Sequence, residues 1–297
     1  MVAITVDKER CKKDGLCAMT CPLDIFVQEE KGSIPKLDDS RLKRCFRCGQ
    51  CVAICPHRAI AHSDYPEGTV HPVCSELIPT YDYVLELIRS RRSKRLYKDT
   101  PVERDVIEKI LEAARLAPSG HNEQTTEFVV IQGKEKVHEI ARVTAGCLAK
   151  QAQQYQNPIA QMVMRLTMGK RSAAYLGSLG PEFEGLVSMF NKGTDYILCE
   201  APVLVLFCAD SIGGFMASIN ANLAIQNATL AAEALGLGCF YTGFVVIASN
   251  RDKSITKFLS LPETHQIYGA LAIGHPRLKF KAWPERHPAK VTWLGAE

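Results

Sequence analysis

No stretch of this chain stays apolar long enough to form a membrane-crossing helix, and its lysines and arginines form no extended block of the kind that tracks nucleic acid. The formal net charge of +4 is modest and spread along the chain. The opening Met1-Val-Ala-Ile-Thr-Val-Asp7 is too short and too soon charged for a cleavable export signal. A dinucleotide-binding fingerprint is missing as well, because after Gly236-Leu-Gly238 the third glycine comes five residues on instead of three. These absences lead to the expectation of a cytoplasmic protein that engages neither membrane nor nucleic acid.

What the chain does have is cysteine in register. Cys45-Phe-Arg-Cys48-Gly-Gln-Cys51-Val-Ala-Ile-Cys55-Pro56 is a C-x2-C-x2-C-x3-C-P run, a spacing with which thiolates hold iron–sulfur clusters. Upstream, Cys11-Lys-Lys-Asp14-Gly-Leu-Cys17-Ala-Met-Thr-Cys21-Pro22 repeats the run with Asp14 at the second ligand position. A C-x2-C pair alone also suits zinc, but two in-register runs, each closed by proline, favour clusters and electron transfer. Ligation in such runs is crossed, since the fourth cysteine of each serves the other cluster. Cys45, Cys48, Cys51 and Cys21 are therefore expected on one [4Fe-4S] cluster. Cys11, Cys17 and Cys55, with Asp14, are expected on a second. Residues 1 to about 62 resemble a bacterial two-cluster ferredoxin.

Asp14 is the departure from that pattern. A carboxylate is a harder and weaker ligand for cluster iron than a thiolate, so the corner it faces is carboxylate-ligated, water-ligated, or lost to give [3Fe-4S]. Asp-Gly is also a common turn pair. Ligation is the favoured reading because Asp14 stands in register with Cys48. The other cysteines, Cys74, Cys147, Cys199, Cys208 and Cys239, show no ligand spacing and default to small buried apolar groups.

At 297 residues the chain has room for a second domain with its own core. Residues 63–79, with Pro66, Pro72 and Pro79, lack a clear period and read as a linker, leaving 80–297 for that domain. Tyr81 to Ile88 carries a helical period. Thr100-Pro101-Val-Glu103 reads as a helix start with a capping box. Val102, Val106, Ile107, Ile110, Leu111, Ala114 and Ala117 form the apolar stripe of that helix, which stops at Pro118. Phe128–Ile131, Pro202–Phe207 and Ile267–Ile273 read as strands, and Phe215–Leu235 as a buried helix.

Four strings in order then carry a second resemblance: Arg91-Arg92-Ser93-Lys94-Arg95, Pro118-Ser119-Gly120-His121-Asn122, Ala234-Leu-Gly236-Leu-Gly238, and Ile273-Gly274-His-Pro276. They resemble the FMN-dependent nitroreductases, and the whole chain resembles the ferredoxin-fused members of that family. The implied fold class is α+β: a small two-cluster ferredoxin-like domain, then a nitroreductase-type α-β-α domain around a central, mostly antiparallel sheet. The resemblance implies that Arg91, Arg92 and Ser93, with Arg286, clasp the FMN phosphate, which needs guanidinium forks and hydroxyl donors. It further implies that Arg95 reaches the pyrimidine edge of the flavin. Pro118, Ser119 and Asn122 would contact the flavin of a second subunit in a homodimer, and Tyr241, Thr242 and Gly243 would lie along the N5 edge. Gln124-Thr125-Thr126 departs from the family's usual Gln-Pro-Trp at that point. Residues 143–199 exceed what the family core needs and read equally as a lid over the flavin or as extra packed helices.

The joined halves imply an oxidoreductase in which clusters pass electrons to FMN, which reduces a nitroaromatic or another conjugated, electron-poor small molecule. The donor is a ferredoxin-like protein or NAD(P)H. A flavin/iron–sulfur redox sensor or relay without a small-molecule substrate, and a reductive dehalogenase or ene-type reductase, remain open alternatives. No residue stands out as a catalytic acid, base or nucleophile, so the chemistry is expected at the flavin.

Overall fold

The computed structural model describes residues 2–295. The chain forms two compact units. The first runs through Pro79 and includes Ser119–Gln124; the second comprises Thr80–Pro118 and the chain from Thr125 onward.

The first unit contains β1 (Ile4–Val6), α1 (Leu16–Thr20), β2 (Phe26–Val27), β3 (Lys36–Leu37), α2 (Asp39–Leu42), α3 (Gln50–Ile54) and β4 (Ile60–His62). It is built twice from one backbone pattern. Lys13 and Arg47 both adopt positive φ, and Gly15 and Gly49 follow with φ of 76° and 72°. The five-residue helices α1 and α3 come next, each burying one cysteine, Cys17 and Cys51. Asp24 and Arg58 then return to positive φ. The left-handed glycines turn the chain sharply enough to point successive cysteines inward, a geometry that costs a residue with a Cβ about 1–2 kcal/mol. Antiparallel pairing of Ile4 with His62 through Val6 with Ile60 ties the two ends of the unit together. The small core is Ile4, Ile25, Phe26 and Ile60 around the cysteines.

The linker expected at 63–79 begins within this folded unit. Tyr65 pairs with His62, and its hydroxyl donates to the Arg47 carbonyl at 2.6 Å. Cys74 is exposed and Cys199 half-buried, against the expectation of burial; Cys147, Cys208 and Cys239 are buried. Cys74 precedes a 3-10 turn, Ser75–Leu77, in a stretch exposed throughout, so no core is available to it.

The second unit contains α4 (Tyr81–Ser90), α5 (Arg104–Arg115), β5 (Glu127–Gln132), α6 (Lys134–Gln156), α7 (Pro158–Met168), α8 (Lys170–Asn191), β6 (Val203–Asp210), α9 (Gly214–Ala234), β7 (Gly238–Tyr241), α10 (Gly243–Arg251), α11 (Ser254–Phe258) and β8 (His265–Gly274). The sheet order is β5-β6-β8-β7, and each pairing is antiparallel. Side chains alternate across it. Val203, Val205 and Phe207 face α5 and α9. Leu204, Leu206 and Cys208 face the opposite layer, which includes α6 and α8. Burial on both faces explains why β6 reads as an unbroken apolar run although its partners are antiparallel. Ala221, Ala224, Ala228 and Ala232 give α9 a smooth buried face against this sheet.

Two expectations meet the structure differently. The apolar stripe of α5 is real, with Ile107, Ile110 and Ala114 buried inside the helix. The capping box at Thr100 is not: α5 begins at Arg104 with Glu103 as its cap residue, and no side chain caps it. Val102 is instead drawn out of the helix, buried in the core with its carbonyl accepting from Gln132 Nε2 at 2.8 Å. Residues 143–199 form the latter part of α6, then α7, α8 and the turn after it. Cys147, Leu148, Tyr155, Met164 and Phe183 from this stretch join the core cluster beside the sheet, while Ile159, Met162, Val163 and Leu166 leave an apolar face of α7 exposed.

Gly49→Ala is expected to destabilise the first unit by about 1–2 kcal/mol or more. Its new Cβ would sit 2.8 Å from the Tyr65 ring at φ 72°, whereas Gly68→Ala, at φ 89°, meets open space. Thermal denaturation of both variants checks this; equal melting temperatures would contradict it.

Candidate functional site

In the first unit the fold sorts the cysteines into two groups, and the sorting is crossed. Burial pushes the Cys51 thiol up to about 12, and the nearby sulfurs of Cys48, Cys45 and Cys21 add to the shift. Cys45 is pushed up by burial and, further, by Cys48 and Cys21. Cys17 is pushed up by burial and then by Cys11 and Cys55, not by Cys21 four residues along its own run. Cys21, Cys45, Cys48 and Cys51 line one small cavity with Ile4, Ile25, Phe26 and His62. Such thiols resist ionisation alone, yet they become thiolates outright when a cation binds among them. The donor set therefore fits iron.

Backbone amides already point at two of the sulfurs: Arg47 N–H donates to Cys45 Sγ at 3.4 Å and Ala59 N–H to Cys55 Sγ at 3.3 Å. Asp14 occupies the backbone position equivalent to Cys48. Its Oδ1 accepts from the Leu16 amide at 3.2 Å, and its Oδ2 lies 3.9 Å from His57 Nε2. The turn bond leaves the second carboxylate oxygen outside the turn.

Three residues around this site carry no signal in the cysteine spacing. His62 is buried and stands 3.8 Å from Cys45 Sγ through Nε2, and burial lowers its pKa. Tyr65 holds the Arg47 carbonyl, while Gln28 Nε2 holds the equivalent Lys13 carbonyl at 3.1 Å. Gln28 and Tyr65 thus brace the two ligand loops at the same backbone point.

The other predicted contacts divide between the units. Pro118 belongs to the second unit; Ser119 and Asn122 pack in the first, where Asn122 Nδ2 donates to the Arg47 carbonyl at 2.7 Å. His121, Asn122 and Gln124 all take positive φ here, an unfavourable backbone for residues bearing a Cβ. Phe46 and His121 rings lie 4.6 Å apart.

In the second unit, the segment following α4 runs beside β7, where Ser93 bridges to Cys239 and the Lys94 amide donates to the Cys239 carbonyl at 3.1 Å. Gly238 permits the approach, since a Cβ there would meet Lys94 Cβ at 2.9 Å. Lys94 Nζ is bound by both oxygens of Glu233 at 2.8 and 2.7 Å. Arg95 lies over the Phe240 ring at 5.1 Å. Arg91 and Arg92 are half-buried, and no carboxylate oxygen among the described residues lies within 4.0 Å of either guanidinium. Two unneutralised arginines beside the exposed Ser93 fit a phosphate dianion. Tyr241 ends β7 and Thr242 precedes α10, its hydroxyl donating to the buried Ile197 carbonyl at 3.1 Å, so that Gly243 starts the helix. Arg286 lies on the exposed C-terminal segment after β8. Glu233, far from the basic run in sequence, was legible only as part of a buried helix, and Phe240 fell in none of the elements read from the sequence.

Residues 88–275 match the nitroreductase family, and residues 9–60 match the 4Fe-4S dicluster domain. A protein of Methanothermobacter thermautotrophicus, named provisionally as an NADH dehydrogenase/NAD(P)H nitroreductase, is 29% identical over 65% of this chain and 77% of its own length. The nitrobenzene nitroreductase of Ectopseudomonas oleovorans is 27% identical over 66% of this chain and 88% of its own. The crystal structure of a Bacteroides fragilis nitroreductase with bound FMN is similar at a TM-score of 0.52 and 25% identity, covering 70% of this chain and 98% of that one.

Glu233→Gln is expected to cost about 2–4 kcal/mol in the second unit, because it leaves the nearly buried Lys94 ammonium without its counter-charge. Lys94→Met combined with Glu233→Gln should recover part of that loss. Chemical denaturation of the single and double variants checks both statements.

Proposed function

Because the chain belongs to the nitroreductase family, we propose that it is an FMN- and iron–sulfur-dependent oxidoreductase reducing a nitroaromatic or another conjugated, electron-poor small molecule. The observation that carries this reading is the pairing, in one chain, of two cysteine groups sorted for crossed ligation with an unneutralised arginine pair beside β7. When bound, the clusters handle single electrons and FMN gathers two for delivery to an acceptor. Cys21, Cys45, Cys48 and Cys51 would hold one [4Fe-4S] cluster; Cys11, Cys17 and Cys55, with Asp14, would hold the other.

Arg91, Arg92 and Ser93 bind the FMN phosphate in this reading, with Arg286 contributing from the C-terminal segment. Arg95 sets a positive charge near the pyrimidine edge, where it favours an anionic reduced ring. Tyr241, Thr242 and Gly243 line the N5 edge, and Pro118, Ser119 and Asn122 serve the flavin of a homodimer partner. The ferredoxin-type domain spans 1–62 and the flavin domain 80–297, with 143–199 shaping access to the substrate face. The FMN in the Bacteroides structure and the NAD(P)H in the Methanothermobacter protein's name support the cofactor and one choice of donor; a ferredoxin-like protein is the other. No helix among the described residues is long and apolar enough to cross a membrane, in keeping with a cytoplasmic site of action.

Anaerobically purified protein should contain about eight iron atoms and about one FMN per chain. After reduction it should be reoxidised rapidly by a nitroaromatic; reoxidation by no organic acceptor would leave a redox relay as the function. Arg91→Ala with Ser93→Ala should lower flavin affinity at least about tenfold while iron content holds, since each lost bond to a phosphate is worth about 1.5–3 kcal/mol. Full flavin occupancy in that variant would overturn the phosphate assignment.

Asp14 has a separate test. Mild oxidation should convert one cluster to [3Fe-4S], visible by EPR, and Asp14→Cys should abolish that conversion. The same signal in the variant would reduce Asp14 to its turn.

A further inference from the structure

We propose that His62 sets the reduction potential of the cluster ligated by Cys21, Cys45, Cys48 and Cys51, by donating its Nε2–H to the Cys45 sulfur. The inference rests on the cluster reading above and extends it to a residue outside both ligand runs.

The tautomer follows from the hydrogen bonds. The Asp64 amide donates to His62 Nδ1 at 3.1 Å, so Nδ1 is the acceptor and the ring proton sits on Nε2. Nε2 then points at Cys45 Sγ, 3.8 Å away, within reach of a long N–H···S bond. The ring has little freedom. It is 4% exposed, lies on β4 opposite Ile4, and packs edge-on against Tyr65 at 5.2 Å. Asp64, which supplies the amide, is itself held: Ser63 Oγ donates to its carboxylate at 3.0 Å and Arg47 Nε lies 3.5 Å from it.

The two halves of the unit differ here. Gln28 stands at the position equivalent to His62 in the repeat, but its amide donates to the Lys13 and Ser33 carbonyls and to no cysteine. Only one cluster therefore receives a side-chain N–H on a ligand sulfur from these two positions. Reduction adds negative charge that is shared with the ligand sulfurs. A fixed donor stabilises that form more than the oxidised one and raises the potential. His62 would thereby separate the potentials of the two clusters.

Redox titration followed by EPR tests this on the full-length holoprotein. His62→Leu should make reduction of one cluster about tenfold less favourable, a fall of about 59 mV for a one-electron couple, and leave the other unmoved. His62→Gln, which keeps an amide donor, should retain at least half of the wild-type difference. A Leu variant within twofold of wild type, an equal fall in both variants, or an equal fall of both clusters would overturn the assignment. If His62→Leu fails to hold its clusters, wild-type protein labelled with 15N-histidine decides: hyperfine coupling of the reduced cluster to a histidine nitrogen and its exchangeable proton is expected, and its absence overturns the proposal. A wild-type chain with no reduced-cluster signal at all would instead remove the cluster reading on which this one stands.

Discussion

Sulfurs crowded into a buried pocket cannot all ionise unless a cation lies among them. That constraint organises the first unit. Burial and mutual repulsion drive the thiols of Cys17, Cys45 and Cys51 upward, and a cation bound among them would draw them back to thiolates. The first unit commits Gly15 and Gly49, the short helices α1 and α3 and the apolar cluster of Ile4, Ile25, Phe26 and Ile60 to bringing these groups together. Gly15 and Gly49 matter because a Cβ at either point would strain the turn and strike Gln28 or Tyr65, the residues that brace the ligand loops.

The second unit answers a different problem, which is to present a cationic segment on a rigid support. A sheet buried on both faces supplies the rigidity. Backbone bonding of Lys94 to Cys239 fixes the segment to β7, and Glu233 removes the one lysine charge that points inward. What is left are the forks of Arg91 and Arg92 and the Ser93 hydroxyl, groups suited to a phosphate, while Arg95 lies over the Phe240 ring.

Asp14 makes a local turn bond at a position in register with Cys48 of the second run. The turn bond to Leu16 uses one oxygen and leaves the other outside the turn. His57 nearby gives the free oxygen a partner. Turn chemistry and ligation are compatible at this position, because a carboxylate has two oxygens and a thiolate one sulfur.

Local patterns alone determined a good deal. The cysteine spacing implied crossed grouping because backbone turns are short-range and repeat with the residues that make them. The runs at 202–207 and 267–273 declared themselves strands, and 215–235 a helix, because burial on both faces leaves little but apolar side chains. The Thr100 capping box failed because the core took Val102 and Gln132 took its carbonyl, a competition invisible in four residues of sequence. Lys94 meeting Glu233, the 119–124 segment joining the first unit, and His62 reaching Cys45 each depend on chain folding back over long separations. Spacing specifies which groups can share a turn; only packing decides which distant group arrives beside them, since that depends on every element laid down between.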